Sequence, residues 1–316
     1  MNLHDCLPPE LRTRATTITR VGAGLSGAGV FRVEAGGKLY VLKLAGDAQP
    51  VEAWRCRLEI QRRAAAAGVA PRVVHIEEAH RAVTSAFVSD HGFAPRLHDP
   101  ATRASAIELL GTTLRRVHDL ALPAAAERSD PRALLATLWA ALASLPLPDF
   151  VRDAVERALA TTPPPCDRPL VLSHNDVNPT NLAFDGEQLV LLDWDTTGAN
   201  EPFYDLAAIA VFLRLDTASC LALLAAHDGV PVTSLPERFV YDRQLVAVLC
   251  GAAFLHLARL AGHAGSTAET LDTALALDEV YPRMRAGALR IDTPDGKWAF
   301  GLALVKRGDA LFREHV

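Results

Sequence analysis

A chain of 316 residues with 50% hydrophobic content can bury a substantial core, and its length suits one large domain or two lobes. Its net charge of −5 and the absence of any dense Lys/Arg run argue against a nucleic-acid partner; the excess acid lies beyond residue 90, as a solvated surface or a cationic ligand would favour. Five scattered cysteines, at 6, 56, 166, 220 and 250 and without C-x-x-C spacing, support neither a disulfide framework nor a zinc site.

The opening MNLHDCLPPE lacks a basic segment followed by an apolar one, so no signal peptide is expected. The apolar stretches Ala133 to Leu145 and Leu245 to Leu255 are shorter than the ~20 residues of a membrane span and read as buried helices. A cytoplasmic location with no membrane partner is the resulting expectation. Nothing in the sequence fixes an oligomeric state.

Residues 18 to 44 alternate as strand, glycine-rich loop, strand, Gly36-Gly37 turn and strand. Glycines at 22, 24, 27 and 29 let backbone amides approach phosphates, and Lys43 sits in an apolar strand, an expensive place for an idle charge. No G-x-x-x-x-G-K-[ST] pattern occurs, which excludes a Walker-type loop. A helix is expected over Val51 to Ala67. It carries Glu52 and Glu59, and Glu59 also has the i,i+4 spacing to balance Arg63 or Arg55. Ala82 to Val88 reads as the last strand of this lobe and Ser89 to Phe93 as a hinge.

From residue 94 the pattern becomes helical. Leu109 to His118 has apolar positions at helical spacing, and His118 suits a satisfied core histidine better than a catalyst. Further helices are expected near 206–214, 217–227, 240–262 and 267–287, with a last one over the tail from Lys297, anchored by Trp298.

Between them lies VLSHNDVNPTNLAFDGEQLVLLDWD, residues 171 to 195. A short apolar run precedes His174, Asp176 and Asn181 at the spacing H-x-D-x-x-x-x-N, and Pro179 keeps that segment a loop. Asp185-Gly186 between two apolar runs signals a hairpin that ends on Asp193. A carboxylate and an amide on one loop, with a second carboxylate carried back beside them, suit phosphoryl transfer, which asks the protein mainly to position groups and hold metal ions. In that reading Asp176 accepts or orients the proton of an attacking hydroxyl. Asn181 and Asp193 offer the oxygen ligands that Mg2+ prefers. His174 supports the loop.

His174-Asn175-Asp176 through Asn181, then Asp193, Asn200 and Tyr204-Asp205-Leu206-Ala207, resembles the aminoglycoside phosphotransferase and choline kinase superfamily over roughly residues 18 to 215. The resemblance implies an α+β, protein-kinase-like fold with a small β-rich N-lobe, 1–90, for nucleotide and a larger, mostly helical C-lobe, 91–316, for catalysis and the acceptor. It implies ATP and Mg2+ as cofactors, Asp176 as base, and Asn181 and Asp193 as metal ligands. Gly24, Ser26, Gly27 and Lys43 become nucleotide contacts, with Glu59 as the lysine's partner and Glu52 as rival. Asp205 takes a structural role at a helix start. The segment LSGAGVFRV looks more like aminoglycoside and macrolide phosphotransferases, whereas H-N-D and D-W-D look more like choline and ethanolamine kinases. Thr196 stands where choline kinases usually carry an aromatic, which counts against an aromatic cage.

Only twelve positions separate Asp193 from Asp205, too few for a protein-kinase activation segment. The expectation is a small-molecule kinase moving the ATP γ-phosphate to a hydroxyl of an amine-bearing metabolite or antibiotic; a nucleotide-binding pseudokinase scaffold is the alternative, disfavoured because a scaffold needs no base. For the cationic acceptor, Asp195 is the candidate, with Trp194 or Glu201 nearby. Strand periodicity turns Asp195 toward the side that Asp193 faces, and no Lys or Arg follows before Arg214.

Overall fold

The computed structural model describes residues 2–21, 29–46 and 49–314. Two compact units divide the chain. One comprises Met1–Arg128, Leu170–Ala199 and Ala222–Pro231; the other comprises Ser129–Pro169, Asn200–Leu221 and Val232–Val316.

The first unit is built on an antiparallel sheet of β1 (Thr17–Arg20), β2 (Gly29–Ala35), β3 (Lys38–Leu44), β4 (Val73–Glu77) and β5 (Ala82–Ala86), in the order β1-β2-β3-β5-β4. Gly36 and Gly37 both take positive φ, 56° and 71°, between the paired residues Ala35 and Lys38. That two-residue turn is the kind whose twist matches a hairpin, and glycine meets its φ requirement without steric cost. Val33, Leu42 and Ala82 bury one face of the sheet under Cys6 and Leu7. Helix α1 (Val51–Ala66) buries Trp54, Ile60 and Ala64 and stops ahead of Gly68, which takes φ +71°. A short α2 (Ala94–His98) leads into α3 (Arg103–His118), whose Ile107, Leu110, Leu114 and Val117 form one buried stripe. The segment from Val171 to Ala199 supplies β6 (Val171–Ser173), β7 (Leu182–Phe184), β8 (Leu189–Leu191) and the start of β9 (Gly198–Asn200).

The second unit is helical: α4 (Pro131–Leu142), α5 (Asp149–Ala160), α6 (Phe203–Phe212), the first part of α7 (Thr217–Asp228), α8 (Glu237–Leu260), α9 (Leu277–Arg285) and α10 (Pro294–Arg313). Helix α8 is its axis, packed against α4, α6 and α10. An added Cβ at Gly251 would lie 2.9 Å from the Gly301 carbonyl oxygen and 2.5 Å from Val305 Cγ2. Glycine there lets the backbones of α8 and α10 approach closely. The apolar run Leu245 to Leu255 lies inside this 24-residue helix, which by length and composition alone passes the test for a membrane span. It also buries Asp242 and Arg243 and supplies much of the unit's core.

The helix expected over 267–287 forms only as α9. Upstream of it, short polar side chains satisfy the backbone locally: Thr273 Oγ1 accepts from the Thr270 amide at 2.8 Å and Ser266 Oγ from the Ala268 amide at 3.1 Å. Such bonds offer the chain an alternative to the helix. Strand β4 and helix α5 add two elements that the sequence reading did not single out.

Candidate active site

The hairpin is made by its turn. Asp185 Oδ1 accepts from the amides of Glu187 at 2.9 Å and Gln188 at 2.7 Å, and Gly186 takes φ +109°. Those amides hold the Asp185 carboxyl below its ordinary pKa. Leu182 then pairs with Leu191 and Phe184 with Leu189. The Leu191 and Leu192 amides donate to the carbonyls of Val69 and Asn181, at 2.9 and 2.8 Å. The expected hinge is tied to the same hairpin, since Asp90 Oδ1 accepts from the Phe184 amide at 3.0 Å and the His91 amide donates to the Phe184 carbonyl at 2.8 Å.

His174 is fully buried. Its Nε2 lies 2.9 Å from the Leu192 carbonyl, and its own carbonyl accepts from Thr196 Oγ1 at 3.0 Å. One imidazole thereby joins the loop that carries Asp176 to the strand that returns with Asp193. Asn175 follows with φ +65°, a conformation that Asn tolerates better than most residues, and its Nδ2 donates to the Thr196 carbonyl at 3.0 Å. This twist delivers Asp176, whose Oδ1 accepts from Asn178 Nδ2 at 3.0 Å and whose Oδ2 accepts from Asn181 Nδ2 at 2.8 Å. Burial raises the Asp176 pKa and the Asp193 carboxylate adds to the rise, against His174 and the two amides. Because Asn181 spends its amide nitrogen on Asp176, its Oδ1 is the atom left to meet a cation.

Asp193 takes φ +60°, and the chain turns at once into a 3-10 turn over Trp194–Thr196. Strand periodicity therefore does not extend to Asp195. Both carboxylates nevertheless meet one cation: Lys43 Nζ lies 2.6 Å from Asp193 Oδ1 and 2.7 Å from Asp195 Oδ2. Lys43 sits on β3, between Val30 of β2 and Val83 of β5. Burial pulls the lysine's pKa down, but Asp195 and then Asp193 more than offset it, so its ammonium is held above its ordinary value.

This geometry corrects three expectations. Glu59 is not the lysine's partner; it accepts from Arg63 Nε at 3.0 Å, one turn along its own helix, where the i,i+4 spacing satisfies both. Asp195 does not lack a cation, because Lys43 reaches it from 152 positions earlier in the sequence. Trp194 is not available as an aromatic face for an ammonium: it is buried, donates from Nε1 to the Leu191 carbonyl at 2.8 Å and stands edge-on to His174. Glu201 belongs to the second unit, where its carboxylate lies 3.0 Å from Arg238 Nε. Asp205 is fully buried in the first turn of α6, near the helix's positive end, although Pro202 holds the cap position. Gly24, Ser26 and Gly27 lie outside the described residues.

A cleft of about 490 Å³ opens beside Lys43, walled by Val30, Val41, Val83 and Leu192 and carrying Lys43, Asp193 and Asp195 on its polar side. An apolar chamber with a few converging polar groups is the usual makeup of a small-molecule site. Among the described residues no group of three or more His, Cys, Asp or Glu is placed to hold a metal alone. Asn181 and Asp193 do offer hard oxygen donors. That set fits Mg2+, which commonly takes one or two carboxylates and completes its shell with phosphate oxygens and water.

The phosphotransferase enzyme family model matches residues 17–243. No curated protein sequence matches the chain. Among solved structures it is similar to a choline/ethanolamine kinase family protein from Mesorhizobium loti, with 20% identity, 99% of this chain and 97% of that chain covered, and a TM-score of 0.61. It is also similar to the choline kinase LicA from Streptococcus pneumoniae, with 13% identity, 86% and 92% covered, and a TM-score of 0.57. The macrolide 2'-phosphotransferase MphH from Brachybacterium faecium shares 18% identity, with 78% and 86% covered and a TM-score of 0.54. At these identities the likeness carries the fold, which is the α+β, protein-kinase-like one expected from the sequence.

Proposed function

Because the chain belongs to the phosphotransferase enzyme family, we propose that it is an ATP-dependent kinase whose acceptor is a hydroxyl on a small, amine-bearing molecule of the choline, ethanolamine, thiamine or aminoglycoside kind. The observation that carries the reading is the convergence of Lys43, Asp193 and the Asp176–Asn181 pair within one unit, beside a cleft of nucleotide size. Related structures with AMP and with ADP bear on the nucleotide: one is LicA, the other a spectinomycin phosphotransferase.

Asp176 takes the proton of the attacking hydroxyl at its carboxylate, and the rise in its pKa makes it a better acceptor than an exposed aspartate. The amides of Asn178 and Asn181 fix which way its oxygens point. Asn181 Oδ1 and Asp193 would hold Mg2+, which would supply neutralisation of charge on the phosphates. Lys43, on β3 beside the same cleft, would meet the phosphates with its ammonium. The net acid of the chain favours a cationic acceptor, while the engagement of Asp195 by Lys43 and of Glu201 by Arg238 leaves the acceptor's own contacts to be found by substrate screening. Magnesium-dependent ADP release across a panel of amino alcohols, aminoglycosides and neutral polyols tests the reading. Turnover confined to amine-bearing members is the expected result; turnover of neutral members alone would reject the cationic acceptor, and release from none would reject the kinase.

A further inference from the structure

Lys43 has two counterions where one would balance it, and the second is not the helix acid expected for it. Its ammonium lies 2.6 Å from Asp193 and 2.7 Å from Asp195, while Glu59 is committed to Arg63. Three features make the second contact a built one. Trp194, between the two aspartates, is pinned by its indole bond to Leu191 and by its packing on His174. The Thr196 and Thr197 hydroxyls close the turn onto the carbonyls of His174 and Trp194, both at 3.0 Å. The ammonium approaches from the centre of a sheet, so the lysine stem has little freedom to follow a counterion that moves.

The two aspartates face different demands. In the proposed reaction Asp193 must serve Mg2+, and a carboxylate shared with a lysine is a poorer ligand for a hard cation. A half-buried ammonium deserted by its only counterion would also be left uncompensated. We propose that Asp195 is a positioning residue that keeps Lys43 in place when Asp193 is given over to the metal, so that this chain holds its nucleotide lysine from the turn after the hairpin and not from the helix. The inference rests on the kinase reading and adds to it a division of labour between the two acids of Asp193-Trp194-Asp195.

Calorimetric binding of ADP in the presence of Mg2+, which needs no acceptor and no turnover, tests it through a double-mutant cycle. Wild-type binding comes first, because failure of the wild type to bind ADP would break the kinase reading itself before any variant is compared. Given that binding, Asp195→Asn is expected to weaken it about tenfold, as losing one charge-assisted contact does. Asp195→Glu should restore most of the loss, and Glu59→Gln should change binding less than twofold. On a Lys43→Met background, Asp195→Asn should have no further effect, because the residue through which it acts is gone. An undiminished effect of Asp195→Asn in the Lys43→Met protein would overturn the proposal and make Asp195 a direct contact of metal or ligand. A loss from Glu59→Gln equal to that from Asp195→Asn would return the role to the helix. Steady-state kinetics give a second readout. The KM for ATP should rise in Asp195→Asn and the KM for the acceptor should not; the reverse pattern would place Asp195 in the acceptor site and reject its action through Lys43.

Discussion

Each unit contains one cation held between two carboxylates, and the two clusters behave differently. In the first, Lys43 lies between Asp193 and Asp195 with side-chain exposures of 23%, 37% and 39%. In the second, Arg238 lies 3.0 Å from Glu201 and 3.3 Å from Asp242, with exposures of 18%, 18% and 3%, and also donates to the Pro164 carbonyl at 3.0 Å. Burial pushes the Asp242 carboxyl up to about 7 even with Arg238 beside it, and the charge of Glu201 adds to the rise. The open cluster can exchange partners with a ligand. The closed one is planar guanidinium against carboxylates that are less exposed, Asp242 almost fully buried, which is the geometry of a structural tie. Composition does not separate a site from a brace here; access does.

If that contrast is right, changes in the open cluster should cost activity and spare the fold, and changes in the closed one should do the reverse. The largest effect is expected from Asp193→Ala, which removes one counterion of Lys43 and the carboxylate proposed to hold the metal. Magnesium-dependent ADP release should fall to background while the thermal melting temperature moves little, and a variant that keeps its parental metal response would remove Asp193 from the metal site. Arg238→Met comes next. It leaves the buried Asp242 and the half-buried Glu201 without their cation and should destabilise the second unit by about 3 to 5 kcal/mol in denaturant titration. A loss under about 1 kcal/mol, the scale of an exposed pair, would show that the cluster is solvated and the contrast false.

The third effect is a pH dependence, spread over several pH units. Asp242 has a folded pKa of about 7 against an ordinary value of 3.8, so between those values the folded protein holds a proton that the unfolded chain has released. Its stabilising contribution is complete below the ordinary value and is lost as pH rises through about 7, with a slope of up to about 1.4 kcal/mol per pH unit in between. Asp242→Asn should flatten that part of the stability profile, and an unchanged profile would show that Asp242 titrates as an exposed carboxylate does.

The hairpin of β7 and β8 was legible because its signals are local. Asp185-Gly186 sets the turn, two apolar triplets set the register, and H-x-D-x-x-x-x-N places an acid and an amide on one loop. Glu59 was misread because a partner one helix turn away, Arg63, satisfies it on the exposed side of its own helix. Asp195 was misread for the opposite reason, since its cation lies on a strand 152 positions away and no spacing rule reaches that far. The Arg238 cluster escaped notice because it joins three residues, on α8 and just ahead of α6, whose only sequence signature is the i,i+4 pair of Arg238 and Asp242. Local chemistry can be read from the chain, whereas a counterion's choice among distant partners is decided by packing.

The most direct test of the account is the turnover of Asp176→Asn measured beside its ADP binding. An amide at 176 keeps one acceptor for Asn178 or Asn181 and turns a donor toward the other, so the binding measurement shows whether the metal and nucleotide contacts survive. The account predicts that ADP binds within a fewfold of wild type while turnover falls by ~10²-fold or more, since a base is lost and the phosphate contacts are not. Near-normal turnover by a variant that binds ADP normally would contradict it and take Asp176 out of the reaction.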